Sequence, residues 1–113
     1  MDNAELTTMK QQTKEAFLNA RVPITLKNNP PLLGLAQIII PEVFEVNGIR
    51  ISESKHDDVW VQFPTFRTGR GYSNAIYFLD KDLTKQMEQR VKEEYFAAYD
   101  AENMGFNSEE RSV

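Results

Sequence analysis

Hydrophobic and polar positions change their period twice along the chain. In residues 1–20, Ala4, Met9, Ala16, Phe17 and Ala20 stand in a background of Gln, Lys and Glu, which predicts a helix with a thin apolar stripe. So sparse a helix is marginal in water by itself. Pro23 ends it, Ile24 to Leu26 predicts a short strand, and Asn28-Asn29-Pro30-Pro31 reads as loop because neither proline can donate to a ladder. From Leu33 to Phe78 the pattern is β. Leu35 to Ile40 is a continuous apolar run rich in β-branched residues, as in a strand buried on both faces or nearly so. Pro41 interrupts it, so the strand either continues as an edge or bulge through Val46 or stops there. Asn47-Gly48 is the strongest short-range hairpin signal, since both residues tolerate positive φ, and it is expected to join Val43–Val46 to Ile49–Glu53. Ser54 to Asp58 is a polar turn. Val59 to Phe63 then alternates, with Val59, Val61 and Phe63 on one face and Trp60 on the other. Arg67-Thr68-Gly69-Arg70-Gly71 is a second glycine-bearing loop, and Tyr72 to Phe78 the last strand.

The period then returns to that of a helix. Asp80 or Asp82 is its expected N-cap. Leu83, Met87, Val91, Tyr95 and Ala98 fall on one face, while Lys81, Lys85, Glu88, Lys92 and Glu93 point away. The helix is expected to end near Tyr99-Asp100, after about four to five turns. The predicted fold is α+β: a small antiparallel β-sheet with a C-terminal α-helix packed on it, plus an N-terminal helical arm. Residues 1–21 form the arm, 22–99 the α+β domain and 100–113 an acidic tail.

The 113 residues carry 13 basic and 17 acidic side chains, a formal charge of −4, with no cysteine. That length suits a single small core. Without cysteine there are neither disulfides nor thiol-based zinc sites, which makes a reducing compartment, the cytoplasm, the expected location. No apolar run approaches the roughly 20 residues of a bilayer span, and Asp2 and Glu5 stand where a signal peptide is basic, so neither membrane nor secretion is expected. Net acidity argues at first against nucleic acid. Yet residues 1–21 are net zero, 22–99 net −1 and 100–113 net −3, through Asp100, Glu102, Glu109 and Glu110 against Arg111. Most of the acidity is tail. Met104 and Phe106 offer it too little apolar surface to offset ordering, so a mobile tail is expected.

Catalytic chemistry is not indicated. His56, the only histidine, sits beside Asp57 and Asp58 in a polar turn, where adjacent side chains do not converge on one ion without a specially folded loop. There is no G-x-S-x-G, P-loop or H-E-x-x-H motif, and Gly69-Arg70-Gly71 lacks the third glycine of a dinucleotide site. The expected protein is not an enzyme, holds no metal or cofactor, and has no identifiable small-molecule substrate. The richest segment is Pro64 to Tyr72, with two arginines, two glycines, two threonine hydroxyls and two aromatics in nine residues. Arginine offers a planar fork to phosphate, glycine lets the main chain approach a polyanion, and a ring such as Phe66 or Tyr72 can stack on a base. A plain long hairpin, with Phe66 and Tyr72 packed on the sheet and both arginines in solvent, is the competing structure for these residues.

From about Ala36 to Tyr95 the chain resembles the SpoVG (stage V sporulation protein G, septation regulator) family of small bacterial proteins. The resemblance runs through Ile40-Pro41-Glu42-Val43-Phe44-Glu45-Val46, Asn47-Gly48-Ile49-Arg50-Ile51, Val61-Gln62-Phe63-Pro64, Thr65-Phe66-Arg67-Thr68, Gly71-Tyr72 and Val91-Lys92-Glu93-Glu94-Tyr95, in unbroken order. Members typically continue after the Gly-aromatic pair with Arg, Asp, Ile and His-Pro, where this chain has Ser73-Asn74-Ala75-Ile76-Tyr77-Phe78. The resemblance implies a compact antiparallel sheet with a C-terminal helix, a homodimer built by pairing or exchange of strands, and DNA or RNA binding in a gene-regulatory role such as septation, sporulation or transcription control. Arg67 and Thr68 match the family's basic loop, and Arg70 is this chain's own addition. Arg50, Lys81 and Lys85 join them as candidate phosphate contacts if strand, loop and helix start share a face. Contact through all the cations predicts a log–log salt slope of about −4 to −5 on duplex. The alternative is a protein-interaction or self-assembly module without nucleic acid, acting through the N-terminal helix and an exposed edge strand.

Overall fold

The structure, a computed structural model, describes residues 2–55 and 57–112, with side chains described as far as Asn103. His56 and the side chains of residues 104–113 therefore lie outside the described residues, and with them the metal and mobility expectations. Helix α1 spans Asn3–Leu18, strands β1 Ile24–Asn29, β2 Leu32–Ile40, β3 Phe44–Glu53 and β4 Val59–Gln62 follow, and helix α2 runs Lys81–Ser112. Between β4 and α2, strands β5 Thr65–Thr68 and β6 Gly71–Asn74 form a separate hairpin. The first four strands make one antiparallel sheet in the order β1-β2-β3-β4. The fold is α+β, as expected.

Several local expectations give way. Asn47-Gly48 is not a hairpin turn. A type I′ turn needs positive φ at both residues, whereas here only Gly48 has it, at 78°. The pair instead forms a bulge within β3 between the Ala36–Ile49 and Ile38–Val46 partners, with Gln37 Nε2 donating to Asn47 Oδ1. Pro41 cannot donate to the ladder, so the turn comes earlier, closed by the Val43 N–H on the Ile40 carbonyl at 3.0 Å with Glu42 at φ 62°. Asn28 and Asn29 belong to β1, leaving only Pro30-Pro31 as the connection. The last strand stops at Asn74, because Phe78 turns inward to lie edge-on to Phe17 and Phe63, each at 5.4 Å. Helix α2 passes the expected stop at Tyr99-Asp100. Ala101 and Glu102 are good helix formers, and no proline follows them.

Alternation decides the core. Ala36 and Ile38 of β2, Ile49 and Ile51 of β3 and Val59 of β4 are buried against Leu83, Met87, Val91 and Tyr95 of α2. Gly34 is part of this fit: a Cβ there would stand 3.1 Å from the Thr25 carbonyl oxygen and 3.7 Å from the Tyr95 ring. Asp80 caps α2, its Oδ1 accepting the Leu83 N–H at 3.0 Å. α1 is capped by Asp2, which accepts the Glu5 N–H at 2.8 Å, yet it buries none of its residues. Its C-terminal end does the holding. Phe17 lies edge-on to Phe44 and Phe78, and Arg90 of α2 donates to the carbonyls of Leu18 and Ala20 at 2.6 and 2.8 Å. The Leu18 carbonyl is one of the acceptors that the end of a helix leaves without a partner, and Ala20 lies just past the C-cap Asn19. Among the described residues no helix is long and apolar enough to cross a membrane.

Two ion pairs tie loops to helices and make stability depend on pH. The Lys14 ammonium and the Leu83 amide hold the Asp80 carboxyl below the ordinary carboxylate range, and the Val59 amide and Lys92 do the same for Asp58. A carboxyl whose pKa is lower folded than unfolded stabilises the fold above its unfolded pKa, and that contribution disappears as pH falls through the folded value. Thermal melts of wild type and an Asp58→Asn/Asp80→Asn variant are therefore expected to separate at pH 7 and converge below about pH 4. A separation that stays constant down to pH 3 would mean that these pairs carry no such linkage.

Candidate nucleic-acid interface

The segment from Pro64 to Asn74 folds as an arm. Its base is closed by the Ala75 N–H on the Pro64 carbonyl at 2.8 Å, and Thr65 pairs with Asn74, Phe66 with Ser73, Arg67 with Tyr72 and Thr68 with Gly71. Gly69 and Arg70 form the tip. Gly71 takes φ 128°, a region that suits glycine. The Thr68 hydroxyl donates to the Gly71 carbonyl and accepts the Arg70 N–H, both at 3.2 Å, so its first task is to shape the tip. Among the described residues no other strand or helix packs on β5 or β6. A hairpin does form, but without rings packed on the sheet: Phe66 is 52% and Tyr72 75% exposed.

Cross-strand partners share a face, and so do alternate residues of one strand. Arg67, Tyr72, Thr65 and Asn74 therefore occupy one face of the arm and Phe66, Ser73 and Thr68 the other. Thr65 and Asn74 also line a groove of about 560 Å³ between β4 and the first turns of α2. Lys81 and Lys85 stand on its helix side, with Glu88 as the one acid in the lining. Of the four aromatic residues in its lining, Phe63 and Phe78 pair with each other, and Trp60 and Tyr77 are exposed.

The six candidate residues are thus only partly brought together. Lys81 and Lys85 border the groove, Arg67 continues it along the arm, and Arg70 stands at the tip. Arg50 does not join them. It lies between buried Ile49 and Ile51, hence on the sheet face away from α2, which its partner Gln62 and Trp60 of β4 share, and it lines a second cleft with Leu35 and Pro64. The clefts meet at Gln62, Phe63 and Thr65, the root of the arm. Trp60 and Tyr77 were not nominated from sequence. For Trp60 a signal exists in its place opposite Val59 and Val61, whereas Tyr77 falls in the part of the expected last strand, beyond Asn74, that does not form. Among the described residues no group of acidic or histidine side chains is arranged to hold a metal ion. No protein-family model matches the chain, and no curated protein sequence matches it.

Proposed function

We propose that this chain is a SpoVG-like, non-enzymatic nucleic-acid-binding regulator of the cytoplasm that grips the phosphate backbone with its β5–β6 arm. One observation carries this reading: a two-stranded ribbon stands clear of the core with Arg67 on one face and Arg70 at its tip. Such ribbons are of a size that enters a nucleic-acid groove. The resemblance over Ala36 to Tyr95 supports the same role, and the near-neutral charge of residues 22–99 suits moderate affinity set by a local patch.

The test is a salt titration of DNA and RNA binding by the full chain. An Arg67→Ala/Arg70→Ala variant is expected to bind at least about tenfold more weakly, with its log–log slope shallower by about 1.5. Binding that is undetectable near about 50 mM salt, where phosphate contacts are strong, or that is indifferent to the double substitution, defeats the proposal. A homodimer belongs to the same reading, since β1 and β4 both end the sheet with an edge that no described strand pairs. Light scattering that returns 13.0 kDa rather than twice that mass removes the dimer and leaves the arm untouched.

A protein-interaction module is the second reading, favoured by a groove of about 660 Å³ between α1 and residues 76–80 in which Leu6, Met9 and Leu79 are exposed. Deleting residues 1–21 would then abolish partner binding while the arm variant behaves as wild type.

A further inference from the structure

We infer that the groove beside the arm takes single-stranded nucleic acid, with bases stacked on Trp60, Tyr77 and Tyr72 and phosphates on Lys81, Lys85 and Arg67. This rests on the nucleic-acid reading above and narrows it to one form of the polymer. Among the described aromatic residues, some meet in ring pairs and others stand alone. Phe17, Phe44, Phe63 and Phe78 meet edge-to-face and bind the elements together. Trp60, Tyr72 and Tyr77 take part in no ring pair among the described residues and are 63%, 75% and 72% exposed. They do little for the core.

Their position relative to the cations is what points to a ligand. Trp60 and Tyr77 line the same groove as Lys81 and Lys85, and that groove passes Thr65 and Asn74 onto the arm face that carries Arg67 and Tyr72. Rings and cations therefore border one groove, with Lys81 and Lys85 on its helix side and Trp60 at the β4 edge, on the sheet face away from α2. A single strand uses both: its backbone follows the charge, and each unpaired base offers a π-face to a ring, whatever its sequence. A duplex keeps its bases stacked on one another and presents only their edges and its phosphates, so it would engage the arginines and leave these rings idle.

The experiment measures fluorescence anisotropy of the full chain with labelled oligo-dT and oligo-rU of about 20 nucleotides, beside a duplex of equal length at the same salt. Trp60 is the only tryptophan, so its emission reports stacking directly. The single strands are expected to bind at least about tenfold tighter than duplex and to quench Trp60. Trp60→Leu and Tyr77→Leu should each weaken single-strand binding about tenfold and leave duplex binding unchanged, while Trp60→Phe retains most of the affinity. Both positions are exposed, so circular dichroism should match wild type. Duplex binding as tight as single-strand binding, or leucine variants that bind single strands normally, overturns this inference and leaves the arm reading in place. Failure of both forms to bind removes both readings.

Discussion

Replacing Met87 with alanine is expected to lower the free energy of unfolding by about 2–5 kcal/mol, with a drop in melting temperature of about 10 °C or more. Met87 is fully buried midway along the core face of α2, flanked by Leu83 and Val91 and facing the isoleucines of β2 and β3. Truncation removes its transfer free energy and leaves a cavity between a helix and a sheet, whose backbones resist collapse. Against a total stability of about 5–15 kcal/mol for a domain of this size, that is a large fraction. Trp60→Ala removes a bigger side chain from an exposed site, and the same urea titration is expected to show a much smaller change. A Met87→Ala loss below about 1 kcal/mol would mean that α2 is not seated on the sheet in this way.

Phe78→Ala should cost about 2–4 kcal/mol and, more tellingly, release α1. Phe78 is the ring between Phe17 of α1 and Phe63 at the end of β4, at 5.4 Å from each and at interplanar angles of 85° and 74°. Its loss deletes two edge-to-face pairs, each worth about 0.5–1.5 kcal/mol beyond burial. With no buried residue of its own, α1 then keeps only Phe44, the Arg90 clamp and the Lys14–Asp80 pair. Hydrogen exchange should accelerate across Asn3–Leu18 while β2 and β3 remain protected. Unchanged protection of α1 would show that its attachment does not run through this ring.

Much of the architecture was readable from residue order, because periodicity reports burial. The α2 face from Leu83 to Tyr95, a cap at Asp80 or Asp82, the inward set of β4 and the α+β class all follow from residue pattern, and the structure selects Asp80. Turn chemistry was less decisive. Asn47-Gly48 satisfies a type I′ hairpin and equally a bulge, and what separates them is Pro41, whose missing N–H moves the turn six residues earlier. The arm shows the same limit at the candidate site. Its composition made it a candidate for polyanion binding, and the cross-strand register that puts Arg67 beside Tyr72 is consistent with alternation. The approach of Trp60 and Tyr77 to Lys81 and Lys85 is a long-range fact: it depends on the inward turn at Phe78 and on where α2 starts, neither of which a local pattern encodes.

The arm's independence from the rest of the fold has a bearing on how this chain can vary. Most of its hydrogen bonds are its own, and no described strand or helix packs on it, so the tip at Gly69 and Arg70 owes nothing to the core. Under the proposed function, substitutions there would alter what is gripped without altering whether the chain folds. In that reading the ribbon can trade arginines, lengthen or change its target without disturbing the sheet or the core face of α2, which carry the stability of the fold.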